Sequence, residues 1–211
     1  MTLGIAIPTY VGHINLLKRL LYSISKSSVL PNQVSISISS YNGDLDFEEY
    51  PFELIITKTS ERKNPSQNRN IAASKLTTDI ISFIDGDDLP HNKRNEYILN
   101  SFEYGCDSVV HNYFQNSDHG SNWFETDMDK INYLHEYIDK IFPDCQFAKS
   151  SLHHQDYHCA HISVKKEIFE SIKYNESSEI EYSEDSEYTK QLIKNNIKIS
   201  YLSNRLSQYV K

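Results

Sequence analysis

Apolar residues in the first part of the chain alternate between short β-rich runs and stripes at helical spacing. Residues 14–25 carry leucine and isoleucine at helical spacing, whereas Val34, Ile36 and Ile38 alternate with polar residues, as in a strand. The predicted elements are a strand over 3–8, a helix over 14–25, strands over 33–39 and 52–57, a helix over 68–76 and a strand over 79–85. This alternation predicts an α/β fold with a mostly parallel central sheet and helices on both faces.

The pattern becomes less regular after residue 90. The predicted elements there are a helix over 93–104, a strand over 108–114, a polar loop over 116–122, a helix over 129–141, a short strand over 160–164, helices over 165–172 and 185–195, and a strand over 197–202. We find no repeat, low-complexity tract or linker. We therefore interpret residues 1–211 as one domain, in which 1–90 form a nucleotide-binding half and 91–211 a half that holds a second substrate.

The composition is that of a globular protein, and the charge excludes one class of partner. The 211 residues are 38% hydrophobic and 24% charged, with a formal net charge of -8. An acidic chain lacks the basic face that nucleic acids require, so we expect no nucleic-acid partner. No apolar run approaches the length of a membrane span, and the first residues lack a basic signal-peptide region. Three widely spaced cysteines fit free thiols in a reducing compartment, so we expect a cytoplasmic protein.

The strongest chemical signal is an apolar run over 81–84 that ends in three carboxylates, Asp85, Asp87 and Asp88. In open α/β sheets, ligands bind outside the carboxyl ends of the strands. Clustered acids repel one another unless a cation lies between them, and carboxylates are suitable ligands for Mg²⁺ and Mn²⁺. The run therefore indicates a site for a metal–diphosphate ligand. A solvated acidic turn before the next helix is the alternative for such a short motif.

Two further segments are expected at the same edge of the sheet. The first strand ends at Pro8, after which Thr9 and Tyr10 offer a hydroxyl and an aromatic face to a base or ribose. The helix that opens after Asn64 carries Arg69, a cation suited to phosphate or to a carboxylate. The alternatives are a plain strand-to-helix turn and a solvated arginine on a capped surface helix.

Two polar clusters lie in the second half of the chain. Glu184 and Asp185 open a helix, where acids are common because of the helix dipole; one of them could act as a general base only if this helix abuts the metal site. The second cluster consists of His153, His154, Asp156, His158, Cys159 and His161. Its spacing does not match the usual zinc patterns, so we predict that it is not a structural zinc site.

Taken in order, these motifs resemble the inverting glycosyltransferases of family 2, which have the Rossmann-like GT-A fold. The matching segments are 5–10, 68–72, 83–88 and the pair Glu184-Asp185. Their shared order favours the metal–diphosphate site over the solvated turn. The resemblance implies a metal-dependent transfer of a hexose or deoxyhexose from a nucleoside-diphosphate sugar, UDP-linked, to a hydroxyl of a glycan acceptor, with Mn²⁺ or Mg²⁺ as cofactor.

The resemblance also implies a role for individual residues. Asp185 would be the base that deprotonates the acceptor, Glu184 would orient the acceptor or that base, and Asp87 together with Asp85 would hold the metal. The nucleotide sugar would be bound by Pro8, Thr9, Tyr10, Ser40, Arg69, Asp85 and Gly86. The family usually has an acid after the second strand to bind the base, and Ser40 lies there instead, which leaves the nucleotide preference open.

Two other classes of function remain alternatives. One is another metal–phosphate enzyme, a nucleotidyltransferase or phosphatase, although the segment after the first strand has neither the acid nor the glycine-rich loop typical of those enzymes. The other is a non-catalytic module that binds nucleotide sugars. A narrower resemblance, to the N-terminal domain of a multidomain chlorella-virus glycosyltransferase, implies further domains C-terminal to residue 211 and action in the host cytoplasm.

Overall fold

The computed structural model describes residues 1–115, 161–177, 179 and 183–209. Within these residues the strands are β1 (Leu3–Tyr10), β2 (Gln33–Ser39), β3 (Glu53–Lys58), β4 (Ile80–Phe83), β5 (Leu89–Pro90), β6 (Ser108–Gln115), β7 (Ile162–Lys165) and β8 (Ile199–Tyr209). The helices are α1 (Ile14–Ser25), α2 (Pro65–Ser74), α3 (Arg94–Glu103), α4 (Lys166–Ser171) and α5 (Glu184–Lys194), and a 3₁₀ turn at Val11–His13 precedes α1.

The described strands form one sheet in the order β3-β2-β1-β4-β7-β6-β8-β5. The first four are parallel, β6 and β8 run in the same direction, and only β7 and β5 are reversed. This confirms the expected mostly parallel α/β sheet of the GT-A type. The carboxyl ends of β1, β2 and β4 lie side by side, which is where such sheets bind ligands.

Side-chain alternation along β1 explains why helices cover both faces. Ile5 and Ile7 pack with the leucines of α1, whereas Ala6 between them points to the opposite face, toward α2, α4 and α5. Leu3 lies on the α1 side and contributes to a further cluster with α3. Burying both faces of a parallel strand requires nearly continuous apolar residues, which is the pattern of 3–7.

Most predicted elements before residue 90 are confirmed, but several boundaries differ there and at the last strand of the chain. Helix α2 begins at Pro65 rather than Asn68, because Asn64 and Gln67 form a capping box in front of it. Strand β4 ends at Phe83, so Asp85 lies in the loop that follows, not in the strand. The final strand extends over Ile199–Tyr209, well beyond the predicted end at 202, because it pairs with β6 on one side and β5 on the other.

The expected loop over 116–122 and helix over 129–141 lie outside the described residues. In the part of the chain that is described, no helix combines the length and apolar character needed to cross a membrane.

Candidate active site

A cavity of about 610 Å³ opens at the carboxyl ends of β1, β2 and β4. Its walls contain nine of the residues singled out in the sequence, namely Pro8, Thr9, Tyr10, Ser40, Arg69, Asp85, Asp87, Glu184 and Asp185. They come from both halves of the chain: seven lie between residues 8 and 87, and two lie at 184 and 185. Gly86 does not line the cavity.

Arg69 is the central charge of this cavity. Its Nη2 donates to Oδ1 and Oδ2 of Asp85 at 2.9 and 3.1 Å, and its Nη1 donates to Glu184 Oε1 at 3.0 Å. Nη1 also lies 3.9 Å from Asp185 Oδ1. Since the Arg69 side chain is only 4% exposed, it holds three carboxylates from a buried position beneath the cavity. The arginine therefore joins the acidic loop after β4 to the start of α5.

The asparagines on either side of Arg69 fix α2 against the rest of the fold. Asn68 donates to the Thr9 carbonyl at 3.2 Å and accepts from the Ser37 hydroxyl at 2.9 Å, so it bridges β1 and β2. Asn70 donates to the Tyr174 carbonyl at 2.9 Å and accepts from the Tyr174 amide at 3.1 Å. All of these groups are buried, and together they determine where the Arg69 guanidinium lies.

Gly86 allows the acidic loop to approach the end of β1. Its amide donates to the Pro8 carbonyl at 3.2 Å. A Cβ atom added at this position would lie 2.5 Å from Thr9 Oγ1 and 2.7 Å from Thr9 Cβ. Gly86 therefore acts on the cavity through backbone position, and its predicted contact with the nucleotide sugar remains a prediction.

Asp87 is the acid of the loop whose negative charge is least compensated by neighbouring cations. Burial and the neighbouring Asp85 carboxylate raise the pKa of Asp87, while His13 and Arg19 lower it. The Asp85 charge, by contrast, is bonded to Arg69 through both oxygens. The described residues contain no group of three or more His, Cys, Asp or Glu side chains placed to hold a metal ion. A site of one or two carboxylates fits an ion that takes its other ligands from a diphosphate and water.

Asp88, the third acid of the run, does not line the cavity and is fully buried. Its charge faces Arg19 and the buried Arg94. Burial lowers the pKa of the Arg94 guanidinium to about 9, and Asp88 opposes this shift. Arg94 Nη2 also donates to the Phe83 carbonyl at 2.7 Å, and Arg19 Nη2 to the Asp87 carbonyl at 2.9 Å. The clustered acids are thus divided: Asp85 and Asp87 line the cavity, whereas Asp88 faces buried arginines beneath the loop.

Glu184 and Asp185 occupy the first turn of α5 and point into the cavity. Burial raises the pKa of Glu184, the Arg69 guanidinium opposes this effect, and the neighbouring Asp185 adds to it. The start of this helix therefore lies beside the loop that carries the predicted metal ligands Asp85 and Asp87, and the role of Asp185 as a general base remains a prediction. Helix-dipole stabilisation alone does not require the two acids to converge on a buried arginine from another helix.

His13 is a cavity residue that sequence reasoning missed. Its Nδ1 lies 3.6 Å from Asp87 Oδ2, and its ring centroid lies 4.3 Å from that of Tyr10. No recognised motif marks this position; the only available signal was a histidine in the turn directly after the first strand. Arg62 and Lys63, which precede α2, also line the cavity and add positive charge to it.

The histidine-rich cluster over 153–161 lies outside the described residues except for His161. His161 is buried, and its Nδ1 lies 2.8 Å from the Ser207 hydroxyl. The absence of structural zinc stays a prediction.

The fold is of the GT-A type. The family model described as "Glycosyl transferase family 2" matches residues 5–172, so the chain belongs to this family. No curated protein sequence matches the chain.

Solved structures agree with this fold. TarS 1-349 from S. aureus, in complex with UDP, has a TM-score of 0.67 and 15% sequence identity, over 100% of this chain and 61% of that one. The mannosyltransferase PcManGT from Pyrobaculum calidifontis, in complex with GDP-Man and Mn²⁺, has a TM-score of 0.65 and 14% identity, over 98% of this chain and 56% of that one. The chain thus spans about three fifths of the length of these two structures. Neither comparison supports a chlorella-virus origin.

Proposed function

We propose that this domain is a metal-dependent, inverting glycosyltransferase that moves a hexose or deoxyhexose from a UDP-linked donor to a hydroxyl of a glycan acceptor. The observation that carries the proposal is the convergence of Asp85, Asp87, Glu184 and Asp185 around one cavity, with Arg69 buried beneath them. One pair of acids comes from the nucleotide-binding half and the other from the half assigned to the acceptor.

The donor side is supported by the groups at the ends of β1 and β2. Pro8, Thr9, Tyr10 and Ser40 line the cavity together, and Tyr10 is 47% exposed, so its ring is available to a base or ribose. Arg62 and Lys63 supply the positive charge that a diphosphate requires. TarS has been solved with UDP and with UDP-GlcNAc, and PcManGT with GDP-Man, so similar folds bind nucleotide sugars with either uracil or guanine as the base.

Asp87 is the residue best suited to hold a divalent ion, with Asp85 beside it. Asp87 is a partly buried acid whose charge is incompletely compensated, which favours a cation, and carboxylate oxygens are suitable ligands for Mn²⁺ or Mg²⁺. When bound, such an ion neutralises the negative charge that develops on the leaving diphosphate. Arg69 holds Asp85 in place for this task through two hydrogen bonds.

Asp185 is the proposed general base. Its Oδ1 lies 3.9 Å from Arg69 Nη1, and its side chain is 20% exposed, so it remains reachable by an acceptor hydroxyl. A carboxylate that takes the acceptor proton permits a single displacement, which inverts the anomeric carbon without a covalent intermediate. Glu184, bonded to Arg69 at 3.0 Å, orients this turn of the helix.

The substitution Asp185→Asn tests the assignment because it keeps the size and the helix-start preference of the side chain while removing the basic oxygen. We expect turnover to fall by about 10²–10⁴-fold, with donor affinity nearly unchanged. Glu187→Gln is the matched control: Glu187 lies in the same helical turn but bonds to Gln191 at 2.7 Å and does not line the cavity. Near-normal sugar transfer by Asp185→Asn, with the product verified, would refute the mechanism.

A further inference from the structure

His13 has three features that packing alone would not require of a histidine just before a helix. It ends the 3₁₀ turn between β1 and α1, its side chain is 27% exposed, and it lines the cavity beside Asp87. Contact with the Tyr10 ring, at 4.3 Å between centroids and 53° between planes, restricts the orientation of the imidazole. Nδ1 is the nitrogen that faces Asp87.

The distance between His13 Nδ1 and Asp87 Oδ2 is 3.6 Å, which is longer than a hydrogen bond. Two adjacent ligands on an octahedral ion with bonds of about 2.1 Å lie roughly 3 Å apart. The nitrogen and the oxygen are therefore close to the separation at which both could bind one ion. Asp85 is less available to that ion, because Arg69 bonds to both of its oxygens.

We propose that His13 is a direct ligand of the divalent ion held by Asp87, and that it makes the site prefer a first-row transition ion over Mg²⁺. The inference rests on the proposed function, since it concerns the ion that accompanies the donor diphosphate. Imidazole nitrogen is the commonest metal ligand among side chains and binds first-row transition ions, whereas Mg²⁺ demands oxygen ligands and retains its waters. The protein then contributes one nitrogen and one carboxylate, and diphosphate and water complete the coordination.

A competing role for His13 predicts a different effect of its removal on metal affinity. If His13 served only as a positive partner for Asp87, a metal ion would have to displace it, and removing the imidazole would leave metal affinity unchanged or increased. If His13 is a ligand, removing it weakens metal binding. The loss should be larger for Co²⁺ than for Mn²⁺ and smallest for Mg²⁺, following the preference of these ions for nitrogen.

The direct experiment is pulsed electron paramagnetic resonance on the wild-type chain with Mn²⁺ and UDP, or GDP if UDP does not bind. We expect modulation from a histidine nitrogen, shifted when the histidines carry ¹⁵N and lost in His13→Gln. Calorimetry on the nucleotide-loaded protein should show the Mn²⁺ dissociation constant of His13→Gln raised by at least about 10-fold, since even outer partners of metal ligands typically cost that much. Lys18→Gln, an exposed change on α1, should leave the signal and the affinity intact.

Each other result has a distinct meaning. Mn²⁺ bound with no histidine coupling, coupling that persists in His13→Gln, or undiminished Mn²⁺ affinity in that variant would overturn the inference while leaving the proposed transferase intact. Failure of wild-type protein to bind Mn²⁺ with either nucleotide would instead contradict the metal dependence of the proposed function, and His13 with it. The wild-type spectrum requires no variant, so an absence of histidine coupling would overturn the inference even if His13→Gln folds poorly.

Discussion

Replacing Arg69 by methionine should destabilise the domain more than any exposed arginine substitution in the same cavity. The Arg69 side chain is 4% exposed and bonds to Asp85 and Glu184, whose side chains are 22% and 11% exposed. Methionine has a similar shape but leaves these carboxylates, with Asp185 nearby, facing one another without their cation. Loss of one partner costs more than the pair contributed, because the remaining charges stay partly buried.

The expected magnitude follows from burial. Removing one member of a buried ion pair costs about 3–5 kcal/mol, and the partial exposure of both carboxylates favours the lower end, about 3 kcal/mol. For a domain of this size each kcal/mol lowers the melting temperature by about 2–4 °C, so Arg69→Met should melt roughly 6–12 °C below wild type. Arg62→Met is the matched control: Arg62 lines the same cavity but is exposed, and its loss should change stability by no more than about 0.5 kcal/mol.

The pH dependence of stability provides a second, independent readout. Burial raises the pKa of Glu184 and Arg69 holds it down, so the substitution should raise this pKa further above its ordinary value near 4.5. A carboxyl group whose folded-state pKa is raised binds its proton more readily in the folded than in the unfolded state, so stability increases as the pH falls through that pKa. The stability gap between wild type and Arg69→Met should therefore be largest at neutral pH and narrow toward pH 5.

Thermal melting followed by circular dichroism at pH 7 and pH 5 measures both effects. A melting temperature for Arg69→Met equal to that of Arg62→Met would show that the buried charge network has no stabilising role. A gap between Arg69→Met and wild type that is the same at both pH values would show that proton uptake by Glu184 does not contribute.

Two other predictions concern the acidic loop. Asp87→Asn should raise the melting temperature of metal-free protein at neutral pH, because it removes an acid whose pKa is raised by burial and by Asp85. The same substitution should abolish Mn²⁺-dependent binding of UDP, measured by calorimetry. Retained metal-dependent binding would contradict the assignment of Asp87 as the metal ligand. Gly86→Ala should cost about 1–3 kcal/mol in urea denaturation, because its Cβ would lie 2.5 Å from Thr9 Oγ1, and a neutral result would show that the two loops separate easily.

Local pattern was sufficient for the elements that define the fold. The runs around Ile5 and Ile81 became buried strands because they are nearly continuous in apolar residues, and the run around Val34 became a strand because its valine and isoleucines alternate with small serines. The stripe in 14–25 became α1 because its spacing matches a helix. The short strand at Leu89–Pro90 was missed, because two residues carry no periodicity and their pairing depends on β8.

The sequence by itself determined the α/β class, the family resemblance and nine of the fifteen described residues that line the cavity, because strand ends, helix starts and clustered charges are local properties of the chain. It did not determine which charges meet. Only the tertiary structure separates Asp88 from Asp85 and Asp87, brings His13 to Asp87, and joins Arg69 to Glu184 across 115 positions. Such contacts depend on how α1, α2 and α5 pack on the sheet. Because burying an unpaired charge is costly, the packing must place each buried charged residue beside a partner, and the packing therefore decides which residues pair.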